Sequence, residues 1–186
     1  MLLLLLGISL FASVHFIPSL APALKSAWQR SLGDNGYKGL FSLLLLAALA
    51  MIILGWRSAS PVYLYSPPPA LQPLALGILL IAILLLVVSN RASRVRNLVR
   101  HPQLTGVALW GAAHLMLNGD SRSLVLFAGL SLWAAGEIFA INRREGVWIK
   151  TDTPGWGSEV VTVAIAVLLV VIVIAAHPWL AGVPVF

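Results

Sequence analysis

Long apolar stretches, separated by proline, glycine and charged residues, dominate the pattern of this chain. Most of them reach the roughly 20 residues that a helix needs to cross the hydrocarbon core of a bilayer. Inside lipid, only a helix or a closed barrel pairs every backbone N–H and C=O group, so helices are expected. The stretches cover residues 2–20, 37–56, 71–88, 104–117, 123–141 and 158–180. They predict an all-α integral membrane protein with about six transmembrane helices in one bundle, joined by short loops.

The connectors between these stretches carry recognisable signals. The fourth stretch is short, and it can span a bilayer only if its helix starts near His101 or Pro102 or if the bilayer thins locally. Residues 58–69 include four prolines and predict a rigid outer loop that caps the bundle. Residues 118–120 read Asn-Gly-Asp, a turn that would close the fourth and fifth spans into a hairpin.

Composition supports one membrane domain over residues 1–186. Of the 186 residues, 60% are hydrophobic and only 10% are charged, whereas a soluble domain carries roughly a quarter charged residues. There is no cysteine, which excludes disulfides, thiolate metal sites, iron–sulfur clusters and covalent c-type haem attachment.

The basic residues predict the orientation of the bundle. Of the 12 Lys and Arg residues, ten lie in the first, third and fifth connectors, and only Arg57 and Arg122 lie in the second and fourth. By the positive-inside rule, the odd connectors face the cytoplasm and both termini lie on the non-cytoplasmic side. The net charge of +6 is therefore expected to attract anionic lipid of the bilayer, and no nucleic acid partner is expected.

Two histidines are the main candidates for chemistry. His15 lies about 13 residues into the first span and His114 about 12 residues beyond Pro102, so at 1.5 Å per residue both are expected near mid-membrane. An aromatic residue, Phe11 or Trp110, stands four positions before each histidine. If the two antiparallel spans are neighbours, the imidazoles could share one ligand. The alternative is that each histidine simply hydrogen-bonds to a neighbouring helix.

A b-type haem would suit such a pair, because imidazoles from facing helices often hold haem iron in a bundle. In this hypothesis His15 and His114 are the metal ligands, and Phe11 and Trp110 pack on the porphyrin. Basic residues near the propionates would be drawn from Arg30, Arg94, Arg96, Arg100 and His101. The alternative for Arg100 and His101 is a solvated basic rim that sets orientation.

Two other ionisable residues predict structural roles. Glu137 lies within the fifth span, where an acid needs a partner, and an ion pair with Arg100, Arg143 or Arg144 is expected. Proton handling by Glu137 is the alternative. His177, which precedes a proline near the end of the last span, is interpreted as interfacial.

Several motifs carry a resemblance to a known family, and together they cover nearly the whole chain. They are residues 15–19 (His-Phe-Ile-Pro-Ser), Arg30, Gly33, Tyr37, residues 100–102 (Arg-His-Pro), residues 110–115 (Trp-Gly-Ala-Ala-His-Leu) and residues 118–120. The chain resembles the NnrU family of bacterial membrane proteins. This resemblance implies a multi-pass protein of the bacterial inner membrane, associated with denitrification and with the production of active nitric oxide reductase.

The same motifs are similar to the zeta-carotene isomerase of carotenoid synthesis, a membrane enzyme that holds haem b through histidines. By that resemblance, His15 and His114 match the isomerase's two essential histidines. The implied function is redox sensing, electron handling or a haem-linked isomerisation, and whether the chain is itself an enzyme stays open.

Two alternatives belong to other functional classes. One is a non-catalytic accessory protein that helps a partner membrane reductase to assemble. The other is a methyltransferase, because residues 100–106 resemble the R-H-P-x-Y-x-G motif with which membrane methyltransferases bind S-adenosylmethionine. Leu104 replaces the usual Tyr of that motif, and the acidic, aromatic C-terminal pattern of those enzymes is missing, so methyl transfer ranks below haem binding.

Overall fold

A computed structural model describes residues 1–150, 152–182 and 185 of the chain. Six long helices dominate it, and short 3₁₀ turns occur at Pro69–Leu71 and Arg94–Asn97. Within the described residues there is no strand, only an isolated bridge between Tyr63 and Asp120. The predicted all-α membrane fold is therefore confirmed. The helices are α1 (Leu2–Leu20), α2 (Pro22–Ser58), α3 (Gln72–Val88), α4 (Pro102–Leu115), α5 (Ser121–Glu145) and α6 (Trp156–Ala181).

Five of these helices are long and apolar enough to cross a membrane, and α4 is the exception. It has 14 residues, a length of about 21 Å. Its first residue is Pro102, the start that the sequence required for this short stretch. Proline suits this position because the first turn of a helix has no use for its missing N–H.

The first connector is helical rather than a loop. Helix α2 begins at Pro22, directly after α1, and extends for 37 residues to Ser58. Gly33 breaks its regular backbone with φ 71° and ψ 169°, a conformation that glycine adopts without steric cost. The polar residues before Gly33 thus form a separate helical segment that precedes the membrane span, and Arg30 lies on it with an exposed side chain.

Small residues allow α1 and α2 to pack closely. A Cβ atom on Gly55 would lie 2.6 Å from Leu4 Cα, and one on Gly7 would lie 2.8 Å from Ile52 N. Leu4, Ile8 and Ile52 form a buried apolar cluster at this contact. Backbones can approach to this distance only where side chains are absent, as is usual between helices in membranes.

The two ends of the bundle differ in charge. The basic rim is the end that carries Arg91, Arg94, Arg96, Arg100, Arg143 and Arg144. At this rim the ends of α5 and α1 are in contact, since Arg144 Nη1 donates to the carbonyl of Pro18 at 2.8 Å. The chain alternates between the basic rim and the opposite rim, as the count of basic residues predicted. Which rim faces the cytoplasm, and with it the expected side of the termini, stays a prediction.

At the opposite rim, the proline-rich loop covers the turn between α4 and α5. The hydroxyl of Tyr65 donates to the carbonyls of Leu115 at 2.6 Å and Asn118 at 2.9 Å. Asp120 Oδ1 accepts hydrogen bonds from the N–H groups of Arg122 and Ser123, both at 3.0 Å, and so caps α5. The predicted turn between α4 and α5 is confirmed, and the proline-rich loop covers that turn. The rigidity of this loop and its outer position stay predictions.

Candidate functional site

His15 lies in an aromatic box formed by three helices. Its ring centroid is 4.2 Å from that of Phe11 on α1, 5.8 Å from that of Phe41 on α2 and 4.8 Å from that of Trp133 on α5. Its Nδ1 lies 2.9 Å from the carbonyl oxygen of Phe11, one turn earlier in the helix. Three aromatic rings and one backbone carbonyl therefore hold the imidazole in place.

His114 has the same local geometry near the end of α4. Its Nδ1 lies 2.8 Å from the carbonyl oxygen of Trp110, and its ring centroid is 4.8 Å from that of Trp110. Phe127 of α5 stacks on it, with centroids 4.4 Å apart and planes 25° apart. His177 of α6 lies close enough to His114 for an electrostatic interaction. The sequence interpretation of His177 as interfacial did not include this neighbour.

The hydrogen bond at Nδ1 fixes the tautomer of both imidazoles. A carbonyl oxygen only accepts hydrogen bonds, so Nδ1 must carry the proton and donate it. In a neutral imidazole the lone pair then resides on Nε2, which is the nitrogen available to a metal. A backbone carbonyl at the other ring nitrogen is also the usual support of a histidine that ligates a metal.

The structure brings both histidines to α5 but not to each other. Helices α1 and α4 both pack on α5, where His15 contacts Trp133 and His114 contacts Phe127. These partners are six residues apart, a rise of about 9 Å along a helix. No ring contact or hydrogen bond joins the two imidazoles within the described ranges, so a shared ligand stays a prediction.

The basic candidates lie apart from the histidines, at the basic rim. The Arg100 guanidinium donates to the carbonyl of Gly146 at 2.7 Å and lies 3.6 Å from the Glu145 carboxylate. His101 Nε2 is 2.9 Å from Asn142 Oδ1. Asn142 follows Trp133 by nine residues, about 13 Å of helix. Arg100 and His101 therefore form a cluster at the basic rim that is separate from the aromatic surroundings of His15 and of His114.

Glu137 does not form the ion pair that was expected. Glu137 is 7% exposed, and its carboxylate accepts a hydrogen bond from the Ser19 hydroxyl, which lies 2.8 and 2.9 Å from the two carboxylate oxygens. Among the described residues, Arg100 and Arg144 instead approach Glu145. The expectation failed because Glu137 lies about two turns inside the bundle, where α1 brings a hydroxyl closer than any guanidinium.

Comparison with known proteins agrees with the motifs. The family described as NnrU protein matches the chain over residues 3–185. The chain belongs to the NnrU family. No curated protein and no solved structure matches it.

In this NnrU family protein, the ligand atoms and the free hydrogen-bond donor near the histidines are of the kinds that the haem implied by the resemblance would need. Each of the two imidazoles presents Nε2, the usual haem ligand atom. The indole Nε1 of Trp133 is buried and has no hydrogen-bond partner among the described residues, although its ring packs on His15. Since a buried donor without a partner costs free energy, it is a candidate to bind a polar group of a ligand.

Three aromatic residues of the site were not predicted from the sequence. Phe41, Phe127 and Trp133 contact the histidines from α2 and α5, while the sequence pointed only to Phe11 and Trp110. The spacing of four residues within one helix is visible in a sequence. Contacts between helices are not, because they depend on which spans are neighbours and how each is rotated.

Proposed function

We propose that this NnrU family protein binds a b-type haem through His15 and His114 in the bacterial inner membrane and supports denitrification. The observation that carries the proposal is the matched pair of imidazoles, each with Nδ1 bonded to the carbonyl four residues earlier. Both rings therefore expose the same ligand nitrogen inside an apolar bundle. The same hydrogen-bonded arrangement on two separate helices favours a shared role for the two histidines.

The residues around the histidines would hold the group in place. Phe11 and Trp110 restrict the rotation of the imidazoles, and the Trp133 indole offers a hydrogen-bond donor. Haem supplies one-electron chemistry and binding of small diatomic ligands, tuned by its axial ligands and by burial. The apolar walls of the bundle would exclude water from it.

The packing on α5 sets a condition for this proposal. The two imidazoles contact aromatic residues about 9 Å apart along α5, whereas two axial nitrogens of one iron lie roughly 4 Å apart. Ligation of one iron by both histidines therefore requires the two Nε2 atoms to converge across this rise on α5. Ligation by a single axial histidine would require no such convergence.

Absorption spectra of the purified protein test the proposal. Protein from haem-replete cells should show a Soret band that is lost in His15→Ala and in His114→Ala. His101→Ala is the matched control, because it removes an imidazole from the basic rim, apart from His15 and His114, and its Soret band should persist. A colourless wild-type protein would refute haem binding. Loss of the band in only one of the two variants would refute ligation by the pair.

Complementation of a deletion strain tests the link to denitrification. Growth on nitrite or nitric oxide should be restored by the wild type and not by the two histidine variants. If the histidine variants restore growth fully, haem is not needed and the accessory role in reductase assembly is favoured. That role predicts losses in variants of the small residues at helix contacts, such as Gly129 and Gly136.

A groove at the basic rim favours methyl transfer as a second candidate. It has a volume of about 380 Å³, and the Arg-His pair of the methyltransferase-like motif lines it together with an acid and an aromatic residue. Charged groups and an indole suit the amino acid and adenine parts of S-adenosylmethionine. Calorimetry with this cofactor tests it, and absence of binding would exclude it. The lining includes Arg100, His101, Glu145 and Trp148.

A further inference from the structure

A second groove lies between α3 and α6 where both helices reach the basic rim. Its volume is about 340 Å³. Its walls are aliphatic within the spans, and its end at the rim is polar. A site with aliphatic walls and one polar end matches an amphipathic ligand. The lining residues are Leu86, Val87, Ile165, Leu169, Asn90 and Arg91.

Arg91 is held in a fixed orientation at the polar end. Its Nε donates to Thr162 Oγ1 at 3.0 Å, and the Thr162 hydroxyl in turn donates to the carbonyl of Ser158 at 2.7 Å. Thr162 is only 1% exposed, so this anchor is rigid. In the part of the chain that the structure describes, the side chain of Arg91 makes its hydrogen bond through Nε alone, and its two terminal nitrogens remain to bind an anion.

The charge around the groove favours an anion. Arg94 and Arg96 lie in the same connector as Arg91. The nearby Glu159 carboxylate is already engaged, since it accepts the Ser93 hydroxyl at 2.9 Å and the Arg94 N–H at 2.7 Å. The connector thus has a net positive charge beside a carboxylate that is already engaged, and arginine binds phosphate oxygens through two parallel N–H groups.

We propose that this groove binds one anionic phospholipid, with its phosphate on Arg91 and one acyl chain along the aliphatic walls. From Thr162, which anchors Arg91, to Leu169 the helix rises about 10 Å, which accommodates a large part of one chain. The aliphatic walls distinguish a lipid from a free phosphate ion, because an ion would gain nothing from them. The proposal is independent of haem binding.

The position of the groove gives the lipid a structural effect. Helix α6 packs mainly on α3, and only 11% of its most apolar window is buried, compared with 28% in α3. A lipid that contacts Leu86 on α3 and Leu169 on α6 would bridge this sparse interface. Ligands that bind only the folded protein raise its stability, so bound lipid should stabilise α6 against dissociation from the bundle.

Native mass spectrometry with added phosphatidylglycerol tests the site. Arg91→Gln should weaken the tightest lipid adduct by roughly tenfold to a hundredfold, as expected for loss of charge-assisted bonds to phosphate. Arg96→Gln is the matched control, because it removes the same charge from an exposed position of the same connector. Its adduct should persist. Equal effects of the two variants would overturn the proposal.

A second variant separates a lipid from a simple anion. Leu169→Trp should fill the groove and displace the lipid while leaving Arg91 and its charge in place. Millimolar inorganic phosphate should not compete with the lipid. If Leu169→Trp binds lipid like the wild type, or if phosphate alone displaces the adduct, the groove is an anion site without a chain and the proposal fails.

Discussion

Substitution of Gly111 by alanine should wedge α4 away from α5. Gly111 faces α5 without a side chain, and a Cβ atom there would lie 2.6 Å from the carbonyl oxygen of Phe127 and closer still to Ser131 Oγ. A Cβ atom ordinarily lies at least 3.4 Å from a neighbouring heavy atom, so the distance between α4 and the Phe127 backbone must increase by about 0.8 Å. The Ser131 hydroxyl must also turn from the carbonyl of Ala108, to which it donates at 3.2 Å.

Overpacking of this size typically costs about 1–3 kcal/mol. Gly77→Ala is the matched control, because a Cβ on Gly77 meets no atom within 4 Å. Both changes gain the same helix propensity, so their difference in free energy of unfolding isolates the clash. We expect Gly111→Ala to be less stable than Gly77→Ala by that amount.

Unfolding in mixed micelles of rising denaturing-detergent content, followed by far-ultraviolet circular dichroism, measures this difference. Since His114 stacks on Phe127, Gly111→Ala should also shift the Soret maximum of a haem-loaded protein, whereas Gly77→Ala should not. If the two variants unfold at the same detergent fraction, the close approach of α4 and α5 is wrong, and so is the placement of His114 on Phe127.

Three further predictions follow from other contacts. Ser19→Ala should leave the buried carboxylate of Glu137 unpaired and lower the free energy of unfolding by about 1–3 kcal/mol. Glu137→Gln should cost less, because it keeps an acceptor for the Ser19 hydroxyl. Equal losses of stability in mixed-micelle unfolding would contradict this prediction. Tyr65→Phe should remove the donor to the Leu115 carbonyl and lower the free energy of unfolding by about 1 kcal/mol. It should also speed amide hydrogen exchange at the end of α4. An unchanged exchange rate would show that the hydrogen bond does not stabilise this end of the helix. Burial alone would raise the pKa of Asp120, but hydrogen bonds from the first turn of α5 outweigh it and lower that pKa. The stability that Asp120 contributes should therefore be present above about pH 4 and be lost as the pH falls through the lowered pKa. An unfolding midpoint that does not change with pH in acid would contradict this assignment. So would an Asp120→Asn variant whose unfolding midpoint depends on pH as strongly as that of the wild type.

The limits of most helices could be predicted because local chemistry sets them. Pro102 starts α4, and the Asn-Gly-Asp turn at 118–120 separates α4 from α5, as expected from residues that restrict or cap the backbone. The helical segment before Gly33 was missed, because its mixed polar and apolar residues lack the continuous apolar run that marks a span. Sequence patterns therefore located the membrane spans better than the connectors.

The candidate site was predictable only within single helices. The spacing of Phe11 and His15 implied a contact across one helical turn, and the structure places the rings 4.2 Å apart. The partner of Glu137 was predicted wrongly because Ser19 is 118 positions away in sequence. A single sequence gives no information on which distant spans become neighbours, and so the position of both imidazoles on α5 could not be foreseen.

The two proposals concern parts of the bundle that differ in how firmly they are held. The histidines lie on α1 and α4, which pack on α5 through close glycine contacts such as Gly111 with Phe127. The lipid groove lies at α6. The end of α6 at the basic rim is joined to the α3–α4 connector by polar bonds, including the one from Ser158 Oγ to the Ala92 carbonyl at 2.6 Å. Because distant sites with no shared partners act additively, Arg91→Gln should lower lipid binding without changing a Soret band. A variant that loses both would show that α6 contributes to the histidine site, through His177.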